Sequence, residues 1–141
     1  MVLSDSDGAR DTAGARLLDP EMCVQHARDL AWRALNRRDR TVAEMARLLA
    51  GKRVEPAVID EVVGELIEQG YLDDAAFAQR FAEDRRRLDG WGTERIERRL
   101  RALGVDAAAL DAALGVLVRK GYDLELAHDA LRRHAGVDEL D

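Results

Sequence analysis

The chain repeats its own pattern at a spacing of 51 residues, and this internal repeat constrains the fold more than any other feature. From Glu65 the sequence reads ELIEQGYLDDAAFAQRF, and from Val116 it reads VLVRKGYDLELAHDAL, so a Gly-Tyr pair recurs in the same place. Apolar positions elsewhere match at the same spacing, as in the pairs Met45/Ile96, Leu49/Leu100, Ile59/Leu110, Val63/Leu114 and Leu66/Leu117. A sustained period of this length indicates tandem structural repeats.

Apolar residues recur every three to four positions, and no segment alternates at a period of two, so we predict an all-α protein. Capping and breaking signals predict seven helices. The first covers about 20–38, the second starts at the Thr41–Glu44 capping box, and the third runs from Pro56 to Gly70. The fourth runs from Asp73 or Asp74 to the segment LDGWG, the fifth from Thr93 to Gly104 and the sixth from Asp106 to Gly121, and the seventh starts after Asp123. The interior stripes of these predicted helices include Cys23, Ala27, Ala31, Ile67, Phe77, Ala78, Ala82 and Val118.

The repeat divides the chain into three-helix units of about 51 residues. We predict a flexible N-terminal tail, two complete units, and a third unit truncated to one helix and a C-terminal tail, at residues 1–19, 20–71, 72–122 and 123–141. Each Gly-Tyr pair is predicted to close a unit, because glycine adopts the left-handed backbone that ends a helix. Tyr71 and Tyr122 would then seat the unit that follows.

Charge is distributed unevenly along the chain. The net charge is −6, but residues 22–53 and 75–105 are basic, whereas residues 54–74 carry acids and no base. Such bands predict faces of opposite sign and an electrostatically selected partner, although ordinary solvated helix surfaces would give the same banding. No apolar run approaches the roughly 18 residues of a membrane span, and a single cysteine cannot form an internal disulfide. We therefore expect a cytoplasmic protein that does not bind membranes.

The residue types of catalytic and metal sites are scattered. The chain has no Gly-x-x-x-x-Gly-Lys segment, its three histidines lack partners at metal-ligand spacing, and its only serines are Ser4 and Ser6. The adjacent acids Asp73 and Asp74 lie at a helix start, where they complement the helix dipole. We expect no enzymatic activity, no cofactor and no metal.

Arginines remain as the candidates for a functional surface. They end the first and fourth predicted helices and line the fifth, at Arg37, Arg38, Arg85, Arg86, Arg87, Arg95, Arg98 and Arg99. Arg95, Arg98 and Arg99 fall outside the apolar stripe of the fifth helix, and the other arginines lie near equivalent helix ends of the two repeats. We therefore expect one positively charged side that meets phosphates or an acidic protein surface. Glu94 and Glu97 lie among them and weaken a purely nucleic-acid interpretation.

The two tryptophans suggest different roles. Trp32 lies almost opposite the centre of the first apolar stripe, where it is either an interface anchor or packs against the second helix or the tail. Trp91 lies in the turn between Gly90 and Gly92, where we expect it to fill the corner between the fourth and fifth helices.

Two segments, LIEQGYLDDAAFAQRFAEDRRR and GTERIERRLRALGV, resemble the central signature of RecX proteins, bacterial regulators of the RecA recombinase. ALNRRDRTVAEMARLLAGK is similar to the first repeat of that family, and LVRKGYDLELAHDALR to its last helix, so the resemblance covers roughly residues 22–134. It implies a curved, right-handed array of three-helix repeats that docks in the groove of the RecA–DNA filament and inhibits strand exchange and ATP hydrolysis. Family members usually have a longer third repeat than this chain.

Carried over by position, the resemblance makes Arg85, Arg86, Arg87, Arg95, Arg98 and Arg99 the basic-face candidates. Its implied partners are a RecA filament and the phosphates of single- or double-stranded DNA, bound by a monomer. An alternative is a helix-turn-helix DNA-binding protein that reads bases with the fifth helix, TERIERRLRALG, although that helix lacks Asn, Gln and Ser. A helical adaptor for another acidic protein is a third reading.

Overall fold

A computed structural model describes residues 19–121, and within that range it contains α-helices and no β-strand. The six helices are α1 (Pro20–Arg37), α2 (Val42–Gly51), α3 (Pro56–Glu68), α4 (Asp74–Asp89), α5 (Thr93–Ala102) and α6 (Ala107–Arg119). The all-α prediction is therefore confirmed. No described helix has the length and apolar character needed to cross a membrane.

Side chains that cap the free backbone groups fix where the helices begin. Thr41 and Glu44 form the predicted capping box at the start of α2, each bonding to the other's backbone N–H. Asp73 and Asp106 accept hydrogen bonds from the first turns of α4 and α6. These bonds satisfy N–H groups that have no partner within the helix, which explains why the starts were predictable from local sequence.

The helices form two tandem three-helix units, which we call unit one (α1–α3) and unit two (α4–α6). Every pair of helices in extensive contact belongs to a single unit. Each unit also has its own core. The first core contains Val24, Ala27, Ala31, Ala34, Met45, Leu49, Ile59, Val62, Val63, Leu66 and Leu72. The second contains Phe77, Ala78, Ala82, Ile96, Leu100, Val105, Leu110, Ala113 and Leu117.

Helix ends repeat at the 51-residue spacing as closely as the cores do. Gly70 and Gly121 both adopt a positive φ after the third helix of their units. After the second helices, Gly104 has a φ of 92°, and its equivalent, Arg53, has a φ of 67°. At both places the following N–H, from Val54 or Val105, bonds back into the last helical turn. Arginine thus occupies a conformation that favours glycine.

The interior differs from the predicted stripes at a few positions. Val24 is buried in α1, whereas Cys23 is half-buried, a shift of one residue around the helix. Ile67 and Val118 are 47% and 48% exposed, whereas the preceding residues, Leu66 and Leu117, are buried, so the core-facing side of these last turns is one residue away from Ile67 and Val118. The predicted tail before Asp19, Tyr122, the seventh helix and the truncated third unit lie outside the described residues. The right-handed curvature stays a prediction.

Candidate functional site

Three arginines lie close together where α1 ends and α2 begins. Arg37 is in the last turn of α1, Arg38 follows it, and Arg40 lies in the loop. Burial lowers the pKa of Arg40, and the positive charges of Arg38 and Arg37 lower it further. We call these three neighbouring basic residues, Arg37, Arg38 and Arg40, the loop cluster.

Within the loop cluster, Arg38 is held by an acidic side chain, whereas Arg37 is exposed. Arg38 forms two hydrogen bonds to the Glu44 carboxylate, at 2.9 and 3.3 Å, and this pairing raises its pKa. Burial opposes ionisation of Glu44, but Arg38 and the Thr41 N–H together lower the pKa of its carboxyl. Arg37 is exposed and forms no ion pair in the described part of the chain. It is therefore the member of the cluster most available to an anionic partner.

In unit two, arginines stack on Trp91. The Arg95 guanidinium carbon lies 4.0 Å from the centre of a Trp91 ring, and that of Arg85 lies 5.9 Å from it. Phe81 contacts the same indole edge-on at 5.9 Å. Trp91 packs against the second core in the corner between α4 and α5, as the sequence predicted. Arg85 and Arg95 are half-buried in this stack rather than fully solvated.

Arg86 departs from the expected run of surface arginines. It is only 8% exposed, and it donates a 2.9 Å hydrogen bond to the Trp91 carbonyl oxygen. The sequence contained a signal for this position, because Arg86 continues the spacing of the buried residues Ala78 and Ala82 along one face of α4. Arg86 therefore belongs to the structural support of the α4–α5 corner and leaves the candidate surface.

The remaining candidates are exposed. Arg87 lies 3.4 Å from Asp84 in a loose surface ion pair, and Arg98 and Arg99 project from α5. No described residue forms an ion pair with Arg99. Together with Arg37, Arg99 offers an uncompensated positive charge on each of the two units.

Trp32 is half-buried and packs against the first core. Its ring meets Tyr71 edge-on, with centroids 4.6 Å apart and an interplanar angle of 74°. Tyr71 is 54% exposed, and its ring packs on Trp32 of unit one. At the position of Trp32, unit two has Glu83, which pairs with Lys120 at 2.7 Å. The aromatic contact is thus specific to unit one.

The two units meet through polar contacts that sequence reasoning missed. Thr41 is fully buried, and its hydroxyl donates to the carbonyl oxygen of Leu103 at 2.6 Å. The Val42 N–H donates to an Asp74 carboxylate oxygen at 2.9 Å. From the sequence, Thr41 and Asp74 are explained as local helix-start signals alone. We call this contact region between the units the joint.

Backbone contact and a surface ion pair complete the joint. A Cβ atom placed on Gly104 would lie 2.3 Å from the Ala43 Cβ, so the end of α5 touches the first turn of α2. Arg80 of α4 pairs with Asp39 of the loop at 2.9 Å. The joint therefore lies immediately beside the loop cluster, since Asp39 is flanked by Arg38 and Arg40.

Among the described residues, no group of three or more His, Cys, Asp or Glu side chains could hold a metal ion. Acids near the joint accept hydrogen bonds at helix starts or form ion pairs. The described geometry is thus that of a surface with exposed positive charge.

Two family models match the chain in the order of its two units. The model of the first three-helix domain of RecX matches residues 27–66, and that of the second matches residues 73–114. The chain belongs to the RecX family. Its two described units correspond to the first and second three-helix domains of that family.

Relatives over most of the chain are named regulatory protein RecX. The protein from Streptomyces coelicolor is 30% identical over 131 residues, which cover 92% of this chain and 69% of the relative. The one from Trichlorobacter lovleyi is 35% identical over 109 residues, covering 77% and 71%. The one from Cronobacter sakazakii is 36% identical over 110 residues, covering 74% and 62%. The RecX fold also recurs in the crystal structure of RecX from Lactobacillus salivarius, with a TM-score of 0.67 at 21% identity over 82% of this chain and 77% of that one.

Proposed function

We propose that this RecX-family chain is a non-enzymatic regulator that binds the RecA–DNA filament in its groove and inhibits recombination and ATP hydrolysis. Membership of a family of regulatory proteins supports the regulatory role. The observation that carries the proposal is the presence of exposed arginines in two basic regions, Arg37 and Arg38 in the loop cluster of unit one and Arg98 and Arg99 on α5 of unit two. A filament coated on nucleic acid presents repeated negative charge that such regions would recognise.

The contacts are proposed for the exposed arginines. Arg37, Arg38, Arg87, Arg98 and Arg99 would reach the filament, and Arg85 and Arg95 would support them from the Trp91 stack. Trp32 is proposed as an apolar contact because its Tyr71 partner is half-exposed. A monomer acting on a filament of this kind would work in the cytoplasm.

A base-reading role for α5 fits the structure less well. A recognition helix presents amide or hydroxyl side chains to base edges, and α5 has neither on its exposed face. Its Arg101 is held by Glu97 at 2.6 Å, and its Arg95 is stacked on Trp91. The contacts available to α5 are therefore with phosphates or carboxylates, which carry no base sequence.

Binding to three targets at one fixed salt concentration tests the proposal: naked duplex DNA, naked single-stranded DNA, and RecA-coated single-stranded DNA. We expect the coated strand to bind at least about tenfold more tightly than either naked DNA, because both basic regions would engage one surface. ATP hydrolysis by RecA on the coated strand should fall as this protein is added. Equal affinity for naked duplex would favour the helix-turn-helix interpretation.

A pair of arginine variants tests the surface itself. Arg37→Ala combined with Arg99→Ala removes two unpaired charges and no described ion pair, so inhibition should weaken with little change in stability. The matched control is Arg119→Ala, an exposed arginine at the end of α6 outside both basic regions. The loss should shrink at high salt, where screening has already weakened these contacts. Inhibition equal to that of the parent would refute the assigned surface.

A further inference from the structure

The apolar cores do not fix how the two units are oriented. No residue belongs to both core clusters, and the extensive helix contacts all lie within a unit. The linker residue Leu72 is buried, but it packs into the first core alone. The relative placement of the units must therefore depend on the joint.

At the joint, each unit satisfies helix-end groups of the other. The Val42 N–H is the first of α2 and has no acceptor within that helix, and Asp74 of unit two accepts it. The Leu103 carbonyl lies at the end of α5, and the Thr41 hydroxyl of unit one donates to it. Such bonds are directional, so they hold an angle between the units as well as a distance.

The 51-residue register shows that these residues are specific to the joint. Gly92 stands where the repeat would place a second Thr41, and Arg53 stands where it would place Gly104. Arg53 proves that this helix end accepts a side chain despite its positive φ. Glycine at position 104 is therefore required by the close approach of Ala43, in addition to the turn.

Thr41 also connects the joint to the loop cluster. Its hydroxyl accepts from the Glu44 N–H at 3.1 Å, and its own N–H donates to the Glu44 carboxylate at the same distance. That carboxylate holds Arg38. A continuous set of hydrogen bonds thus runs from Arg38 through Glu44 and Thr41 to Leu103 of unit two.

We propose that Thr41 is a positioning residue, which fixes the spacing between the basic regions of the two units so that both engage one filament at once. This inference rests on the proposed function. Its physical basis is effective concentration: once one region is bound, a rigid joint presents the second at the correct distance, whereas a loose joint spreads it over many positions. Thr41 itself is buried and would not touch the filament.

Three variants separate positioning from folding. Thr41→Val keeps the shape but removes the hydroxyl, and Thr41→Ser keeps the hydroxyl and should restore the parent behaviour. Asp19→Ala is the capping control, because Asp19 caps α1 through the Glu21 N–H and makes no described contact with unit two. Thr41→Val and Asp19→Ala should each lose a helix cap, but only the first loosens the joint.

The first measurement is affinity for RecA-coated single-stranded DNA. The second is the distance distribution between two spin labels, attached at Arg47→Cys in unit one and Ala112→Cys in unit two. Every labelled protein also carries Cys23→Ser, so that only the introduced cysteines are labelled. We expect Thr41→Val to broaden the distribution and weaken filament binding by about tenfold or more, with Thr41→Ser and Asp19→Ala near the parent. Parent-like affinity and distances in Thr41→Val would overturn this inference and leave the proposed function standing. Failure of the parent to bind the filament would overturn both.

Discussion

Replacement of Arg86 by methionine gives the sharpest test of the described interior. Methionine keeps a long, flexible side chain of similar reach but removes the guanidinium group that donates to the Trp91 carbonyl oxygen. Hydrogen bonds from charged groups contribute about 1.5–3 kcal/mol each, and the carbonyl would be left without this donor. We therefore expect Arg86→Met to lower the free energy of unfolding of unit two by about 2 kcal/mol.

Urea unfolding followed by far-UV circular dichroism measures this loss. With a urea dependence of about 1–3 kcal/mol/M for small proteins, a loss of 2 kcal/mol lowers the unfolding midpoint by about 1 M. The matched control is Arg87→Met on the same helix, where the side chain is 57% exposed and its contact with Asp84 is loose. That variant should change stability by about 0.5 kcal/mol or less. If the two variants lose equal stability, the interior position of Arg86 is wrong.

Two further outcomes follow from the joint. Gly104→Ala should destabilise the protein by about 1–3 kcal/mol more than Gly70→Ala does, as measured by urea unfolding. Both positions have a positive φ, but only Gly104 faces the Ala43 Cβ. An equal loss of stability in the two variants would contradict the close approach. Burial, above all, raises the pKa of the Asp74 carboxyl in the folded protein, so the protonated carboxyl favours folding. The resulting stabilisation is fully present below about pH 4 and is lost as the pH rises through the raised pKa of the folded state. Asp74→Asn keeps an oxygen for the Val42 N–H and should gain stability relative to the parent between about pH 3 and pH 7; parallel pH profiles would refute this.

The helices were predictable because their signals are local. Thr41 with Glu44, Pro56, Asp73 and Asp106 each mark a helix start through bonds made within a few residues. The repeat then supplied the grouping into three-helix units, because equivalent helices carry equivalent apolar stripes. Both inferences depend on contacts close in sequence or on direct comparison of the chain with itself.

The candidate surface was less predictable because exposure depends on packing partners. The charge of Arg86 predicts a surface position, although its spacing from Ala82 places it on the inward face. The apolar character of Ile67 predicts a core position, but Ile67 is exposed while its neighbour Leu66 fills the core. The second roles of Thr41 and Asp74 could not be inferred, because their partners lie 62 and 32 residues away and on the other unit.

Each three-helix unit contains one of the two tryptophans in the chain. Trp32 lies against a tyrosine ring in unit one, and Trp91 lies between arginines and a phenylalanine in unit two. These unlike surroundings should give the two indoles different fluorescence, and replacing either one by phenylalanine leaves an emission that reports on a single unit. The molecule thus carries two intrinsic optical probes, and the order in which its halves lose structure can be followed without attaching a dye.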